Sequence, residues 1–170
     1  MTIMNYVRSI IVATAMICFC TAAAAQAVLP ERGQVGGVRQ DIFGLGFFGG
    51  PATGIGISFR HHLPGTLSYQ ITGGIIKVSD WISSDIGAEV QFDLARGMLA
   101  RFFIAGGAGY YYSGRASHNE MGAPGRVGFG FGGEVITGSS VHALLEFIYC
   151  YFTDGTVLPL PQVGFYFYFL

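Results

Sequence analysis

Apolar and polar residues alternate along most of the chain after residue 27. The clearest case is residues 84–94, where every second position is apolar: Ile86, Ala88, Val90, Phe92 and Leu94. Successive side chains of a strand point to opposite faces of the sheet, so a period of two predicts a β-strand. The same alternation predicts strands in residues 43–47, 55–60, 67–72, 100–110, 127–135, 141–151 and 162–170, which makes eight. Within them, Phe103 breaks the polarity rule.

Turn residues separate these segments, and the longest predicted connections are residues 79–83, 113–125 and 153–161. Beyond residue 27 no run of 18 apolar residues and no helical period competes with the alternation. The sequence therefore predicts an all-β fold.

The first 27 residues have the pattern of a secretory signal peptide. Arg8 precedes an apolar run over residues 10–20, and the small residues of Ala25-Gln26-Ala27 suit a cleavage site. The run is about half the roughly 20 residues that a membrane-spanning helix needs, which favours cleavage over the alternative of an uncleaved anchor. Cys18 and Cys20 lack the small preceding residue of a lipidation site. We therefore predict a signal peptide in residues 1–27 and one β-barrel domain in residues 28–170, in which Cys150 is the remaining cysteine and is buried.

Composition indicates which face of the sheet is in contact with lipid and which face lines the interior. Only 11% of the residues are charged, 51% are hydrophobic and the formal net charge is −1, whereas a soluble domain has about 25% charged residues. No basic stripe suits nucleic acid. The bulky apolar band suits lipid, and the small and polar positions suit a narrow interior. A sheet in a membrane must close to leave no free edge, so we predict a closed antiparallel eight-stranded transmembrane β-barrel.

Several charged residues fall on the face assigned to the interior. Such side chains are confined in an eight-stranded barrel and must pair to offset their lost hydration. We predict a lumen charge network made of Arg60, Glu89, Arg101, Glu134 and Glu146, with Gln91 on the same face. The alternative is a gated pore or a small proton-linked site, which no spacing favours.

The remaining candidates for chemistry have simpler interpretations. His61 and His62 project to opposite faces of a strand, so no metal site is predicted from them. The glycines of residues 128–133 lack the ending of a phosphate-binding loop. No cofactor is predicted. Aromatic residues near strand ends are predicted to form interface girdles, namely Trp81, Tyr110, Tyr111, Tyr112, Tyr149 and Tyr151.

Four features carry a resemblance to a known group: the signal peptide, residues 106–112 (GGAGYYY), residues 132–135 (GGEV) with 145–149 (LEFIY), and the aromatic end in residues 165–170 (FYFYFL). The mature chain resembles the small eight-stranded outer-membrane β-barrels formed by the transmembrane part of outer-membrane protein A and by the opacity-type surface proteins.

The resemblance implies a location in the bacterial outer membrane and a monomer. Its implied partners are outer-membrane lipids, lipopolysaccharide and the barrel-insertion machinery, which reads a similar terminal strand. We expect a non-enzymatic, porin-like envelope protein with a structural or loop-presenting role. The alternatives are a narrow channel for small apolar solutes and a lipid-modifying enzyme like the lipid A deacylases. The four histidines lack the His-x-Ser pair of those enzymes, so no catalytic residue is predicted.

Overall fold

The structure, a computed structural model, describes residues 41–115, 118–137 and 140–169. The predicted signal peptide, residues 28–40 and Leu170 lie outside the described residues. The described residues form nine strands: β1 (Ile42–Gly50), β2 (Gly54–His62), β3 (Leu67–Val78), β4 (Trp81–Arg96), β5 (Ala100–Arg115), β6 (His118–Asn119), β7 (Gly125–Ile136), β8 (Val141–Phe152) and β9 (Val157–Phe169).

Eight of these strands close into one antiparallel barrel. Each barrel strand pairs with its neighbours in sequence, β5 pairs with β7, and β1 pairs with β9 to close the ring. The two-residue β6 pairs with the end of β5 alone. The prediction of a closed antiparallel eight-stranded barrel is confirmed. In the part of the chain that the structure describes, no helix is long and apolar enough to cross a membrane.

The barrel has two ends, which we name by the chain termini. At the terminal rim β1 begins and β9 ends, and residues 63–66, 97–99 and 137–140 connect strands. At the distal rim the connections are residues 51–53, 79–80, 116–124 and 153–156, with β6 inside the third of them.

Two predicted connections at the distal rim, residues 79–83 and 153–161, are shorter in the structure, because strand pairing extends into them. Val78 pairs with Trp81, and residues 79–80 alone make the turn, with Ser79 at φ 54°. Pro159 and Pro161 lie in β9, where β8 pairs with them. Because the two prolines are two positions apart, their nitrogens point to the same edge of β9. That edge is unpaired at the prolines, since β1 pairs with β9 only as far as Val163. The prolines therefore remove no ladder hydrogen bond.

The two faces of the sheet are the reverse of those in a water-soluble barrel. Outward side chains are apolar, as in Phe47, which is 70% exposed, while Arg60 is completely buried inside. Phe103 also points inward, since it has the same parity as Arg101 on β5, and the Arg101 guanidinium lies over its ring with the guanidinium carbon 4.5 Å from the ring centroid. Cys150 is a free, buried thiol as predicted.

One predicted girdle residue is placed differently. Tyr111 is only 6% exposed and lies inside the barrel, so its assignment to a girdle is wrong. Its hydroxyl donates to the Gly50 carbonyl and accepts a 3.0 Å hydrogen bond from the Gly54 amide. Tyr110 and Tyr149 point outward. In a run of three tyrosines the polarity pattern has no contrast, and only strand parity separates the middle one.

The turn between β1 and β2 folds into the lumen. Ala52 and Thr53 are buried, and the Ala52 amide donates to Gln162 Oε1 at 3.0 Å. Glycines on the facing wall leave space for this turn. A Cβ on Gly128 would lie 2.7 Å from Ala52 Cβ, and one on Gly87 would lie 2.8 Å from Thr53 Cα. The chain itself therefore fills the distal part of the barrel interior.

Candidate functional site in the polar interior

The structure places the five predicted network residues inside the barrel. Each is at most 3% exposed: Arg60, Glu89, Arg101, Glu134 and Glu146. They come from five different strands, β2, β4, β5, β7 and β8, because each occupies an inward position of its own strand. The barrel brings them together in two groups that have different chemistry.

The first group is an ion cluster around one oxygen of Glu134. Arg101 faces Glu134 directly across the β5–β7 pair. Its Nε donates to Glu134 Oε2 at 2.8 Å, and its Nη2 forms an ion pair with that oxygen at 2.6 Å. Arg60 Nη1 donates to the same oxygen at 3.0 Å. Arg101 Nη1 donates to Asp93 Oδ1 at 2.6 Å, and Asp93 also pairs with Arg96. Buried charges require such pairing, since each loses its hydration.

In the second group, the side-chain amides of two glutamines, rather than cations, donate hydrogen bonds to two carboxylates. Gln91 Nε2 donates to Glu89 Oε1 at 2.7 Å and to Glu146 Oε1 at 2.9 Å. Gln162 Nε2 donates to Glu146 Oε2 at 3.0 Å and to Glu89 Oε2 at 3.3 Å. The nearest cation is Arg60, whose Nη2 lies 4.0 Å from Glu146 Oε1. Among the described residues Glu89 makes no ion pair, so hydrogen bonds connect it to the network.

Two histidines and a tyrosine surround the other oxygen of Glu134. His142 Nδ1 lies 2.6 Å from Glu134 Oε1, and Tyr168 Oη lies 3.0 Å from it. His62 Nε2 lies 2.7 Å from Tyr168 Oη, and its Nδ1 lies 2.7 Å from Ser68 Oγ. One donor order satisfies every contact: Ser68 donates to His62, His62 to Tyr168, and Tyr168 and His142 to Glu134.

Sequence reasoning missed these participants, although strand parity could have found some of them. His142 has the same parity as Glu146, and His62 has that of Arg60. Tyr166, whose ring lies 4.2 Å from the Arg60 guanidinium, has the parity of Gln162. Residues 165–169 are all aromatic, so only their alternation of Phe with Tyr marks its inward face. The other inward polar residues that the prediction did not name are Ser58, Ser68, Gln70, Thr72, Asp93, Gln162 and Tyr168.

Inside the barrel, a serine hydroxyl, an imidazole and a carboxylate lie next to one another in that order. Ser68 Oγ contacts His62 Nδ1, and His62 Nε2 lies 3.5 Å from Glu134 Oε1, which is the order of groups in a hydrolytic triad. However, Ser68 is 1% exposed and His62 is completely buried. The Ser68 hydroxyl is therefore shielded from solvent in this structure.

Among the described residues, the interior provides a group of side chains that could hold a metal ion. His62, Glu134 and His142 are all buried, and each offers a donor atom within 4.8 Å of the other two. His61, the neighbour considered with His62 from sequence, points outward and stacks on Phe43 with ring centroids 4.0 Å apart.

Comparison of the chain with known protein families, with curated proteins and with solved structures found no match.

Proposed function

We propose that this protein is a non-enzymatic β-barrel of the bacterial outer membrane, with a structural or loop-presenting role in the cell envelope. The observation that carries the proposal is the continuous apolar exterior. Each barrel strand has a large outward hydrophobic residue that is at least 45% exposed, for example Phe47, Ile57, Ile75, Ile86, Phe102, Phe129, Tyr149 and Phe165.

An exterior of this kind is costly in water and suited to lipid. Burial of apolar surface is worth roughly 25 cal/mol per Å², and soluble monomers rarely expose apolar patches beyond about 300–600 Å². Closure supports the same proposal, since a sheet in hydrocarbon must leave no unpaired edge. Outward aromatic rings on neighbouring strands also suit an interface girdle: Phe43, Phe59, His61 and Tyr69 contact one another in series.

The filled lumen favours a structural role over a channel for small apolar solutes. A solute would have to displace the inward turn at Ala52 and separate Arg101 from Glu134. The buried Ser68 hydroxyl likewise favours a structural role over a lipid-modifying enzyme.

The eight-stranded closure and the aromatic last strand support kinship with the small barrels of the outer-membrane protein A and opacity groups. By that kinship the terminal rim faces the periplasm and the distal rim faces the cell exterior. The connection of residues 116–124, with β6 in it, is then the segment presented outside. The partners would be lipopolysaccharide and the insertion machinery, with the barrel as a monomer.

The test is to express the full chain in a Gram-negative host and to separate its membranes. We expect the protein in the outer-membrane fraction and expect an unboiled sample to migrate differently from a boiled one on a detergent gel. Recovery in the soluble periplasmic fraction contradicts the proposal. The purified barrel should add no steady conductance to a planar bilayer and should leave the mass spectrum of lipid A unchanged. A conducting or lipid-modifying protein would refute the structural role.

A further inference from the structure

Four donor atoms converge inside the barrel near the terminal rim. They are His62 Nε2, His142 Nδ1, Glu134 Oε1 and Tyr168 Oη. The distances between neighbouring atoms run from 2.6 Å for His142–Glu134 to 3.5 Å for His62–Glu134. They come from four strands, β2, β7, β8 and β9. Two imidazoles, a carboxylate and a phenol form a nitrogen and oxygen donor set that zinc accepts.

We propose that these four residues form a zinc-binding site. Zinc bonds of about 2.0–2.2 Å in a tetrahedron place the ligand atoms about 3.3 Å apart. The His62–Glu134 separation of 3.5 Å already matches this value, and the Tyr168–Glu134 separation of 3.0 Å is close to it. Two pairs must separate by less than 1 Å each: His142 Nδ1 from Glu134 Oε1, now 2.6 Å apart, and Tyr168 Oη from His62 Nε2, now 2.7 Å apart. The His142 ring lies at the first inward position of β8, where its side chain is 5% exposed at the rim.

Neighbouring side chains contact the ligand residues from outside the site and hold them in the orientation that metal binding requires. Ser68 Oγ lies 2.7 Å from His62 Nδ1, which turns Nε2 toward the centre. Arg60 and Arg101 occupy Glu134 Oε2 and leave Oε1 facing the imidazoles and the phenol. Such outer contacts fix the orientation of ligands and are a regular part of metal sites.

Zinc entry requires a defined rearrangement of protons. The proton on His62 Nε2 moves to Nδ1, which then donates a hydrogen bond to Ser68 Oγ. The proton on His142 Nδ1 moves to Nε2. Tyr168 Oη gives up its proton to water and coordinates as a phenolate, since metal ligands bind in their deprotonated forms. The buried carboxylates are Asp93, Glu89, Glu134 and Glu146, and the guanidiniums near them are Arg60, Arg101 and Arg96. Zinc adds two positive charges to this set, and the Tyr168 phenolate offsets one of them.

The ion would act structurally, because its ligands leave no open position for a substrate. His62 and Tyr168 are 106 positions apart in the chain, so coordination would tie the second strand to the last one close to the β1–β9 pair that closes the ring. Zinc would therefore stabilise the closed barrel against opening at the terminal rim.

The test uses the folded barrel in detergent micelles, treated with a chelator and then titrated with zinc chloride in a calorimeter. Wild type is expected to bind one zinc per chain. His142→Gln keeps an amide donor for Glu134 but loses the imidazole, and it should weaken binding by at least about 100-fold. Ser68→Ala, behind His62, should weaken it by roughly 10-fold. The matched control His61→Gln changes the outward neighbour and should bind as wild type does.

Cobalt(II) and urea unfolding supply two further readouts. Cobalt in the wild-type site should show the intense visible absorption of tetrahedral coordination, and His61→Gln should show it as well. The urea midpoint of wild type should rise with zinc concentration, which keeps the test valid if His142→Gln fails to fold. A wild-type protein with no stoichiometric zinc binding and no zinc-dependent midpoint overturns the proposal. Equal loss in His142→Gln and His61→Gln overturns it too.

Discussion

Arg101→Leu is the sharpest test of the buried network. Arg101 donates to Glu134 at 2.8 Å and to Asp93 at 2.6 Å, and it also donates to Gln91. Leucine fills part of the space but leaves two buried carboxylates short of a cation. Removal of one partner from a buried ion pair costs about 3–5 kcal/mol, a large part of the roughly 5–15 kcal/mol that holds a domain folded.

The assay is urea unfolding of the barrel in lipid vesicles. With a denaturant slope of about 2 kcal/mol per molar, a loss of about 4 kcal/mol lowers the midpoint by about 2 M. Arg115→Leu is the matched control on the same strand, since Arg115 is exposed at the distal rim, and it should cost about 0.5 kcal/mol or less. The double variant Arg101→Leu with Asp93→Asn should lose less than the sum of the single losses. If the midpoint of Arg101→Leu coincides with that of wild type, the network does not stabilise the barrel.

Two further substitutions test the outer and inner faces. Phe47→Arg, on a 70% exposed outward residue in the middle of β1, should lower the free energy of unfolding in vesicles by about 2–4 kcal/mol. Val157→Arg near the distal rim should lower it by about 0–1 kcal/mol. No loss in Phe47→Arg would indicate that this face meets water. Gly107→Ala should cost about 1–3 kcal/mol by overpacking, because its Cβ would lie 2.8 Å from the Ala88 carbonyl oxygen. Gly106→Ala, whose Cβ meets nothing within 3.7 Å, should leave the urea midpoint unchanged, and equal effects of the two would argue against a tightly packed lumen.

Strand parity made much of the interior predictable. Arg60, Glu89, Arg101, Glu134 and Glu146 were assigned to one face from alternation alone, and the structure has them all inward. Parity is a local property, because the strand backbone turns every second side chain to the same face. It also accounts for Phe103, which the polarity rule alone could not assign.

Aromatic runs and strand ends were less predictable. In residues 165–169 every side chain is aromatic, so the polarity contrast is weak, and only the alternation of Phe with Tyr marks Tyr166 and Tyr168 as inward. The prolines of β9 suggested a loop, although their spacing of two allows a strand at an unpaired edge. In both cases the deciding information was the pairing with neighbouring strands.

The sequence by itself determined the all-β fold, the number of barrel strands and the side of each strand that carries the charges. These follow from a period of two and from the scarcity of charge, and both act within single segments. Only the tertiary structure decided which charges meet across the lumen, and that His62 and His142 reach the same carboxylate of Glu134. Those contacts depend on the stagger of each strand against the next and on closure of the ring, and the hydrogen-bond register sets both over the whole chain.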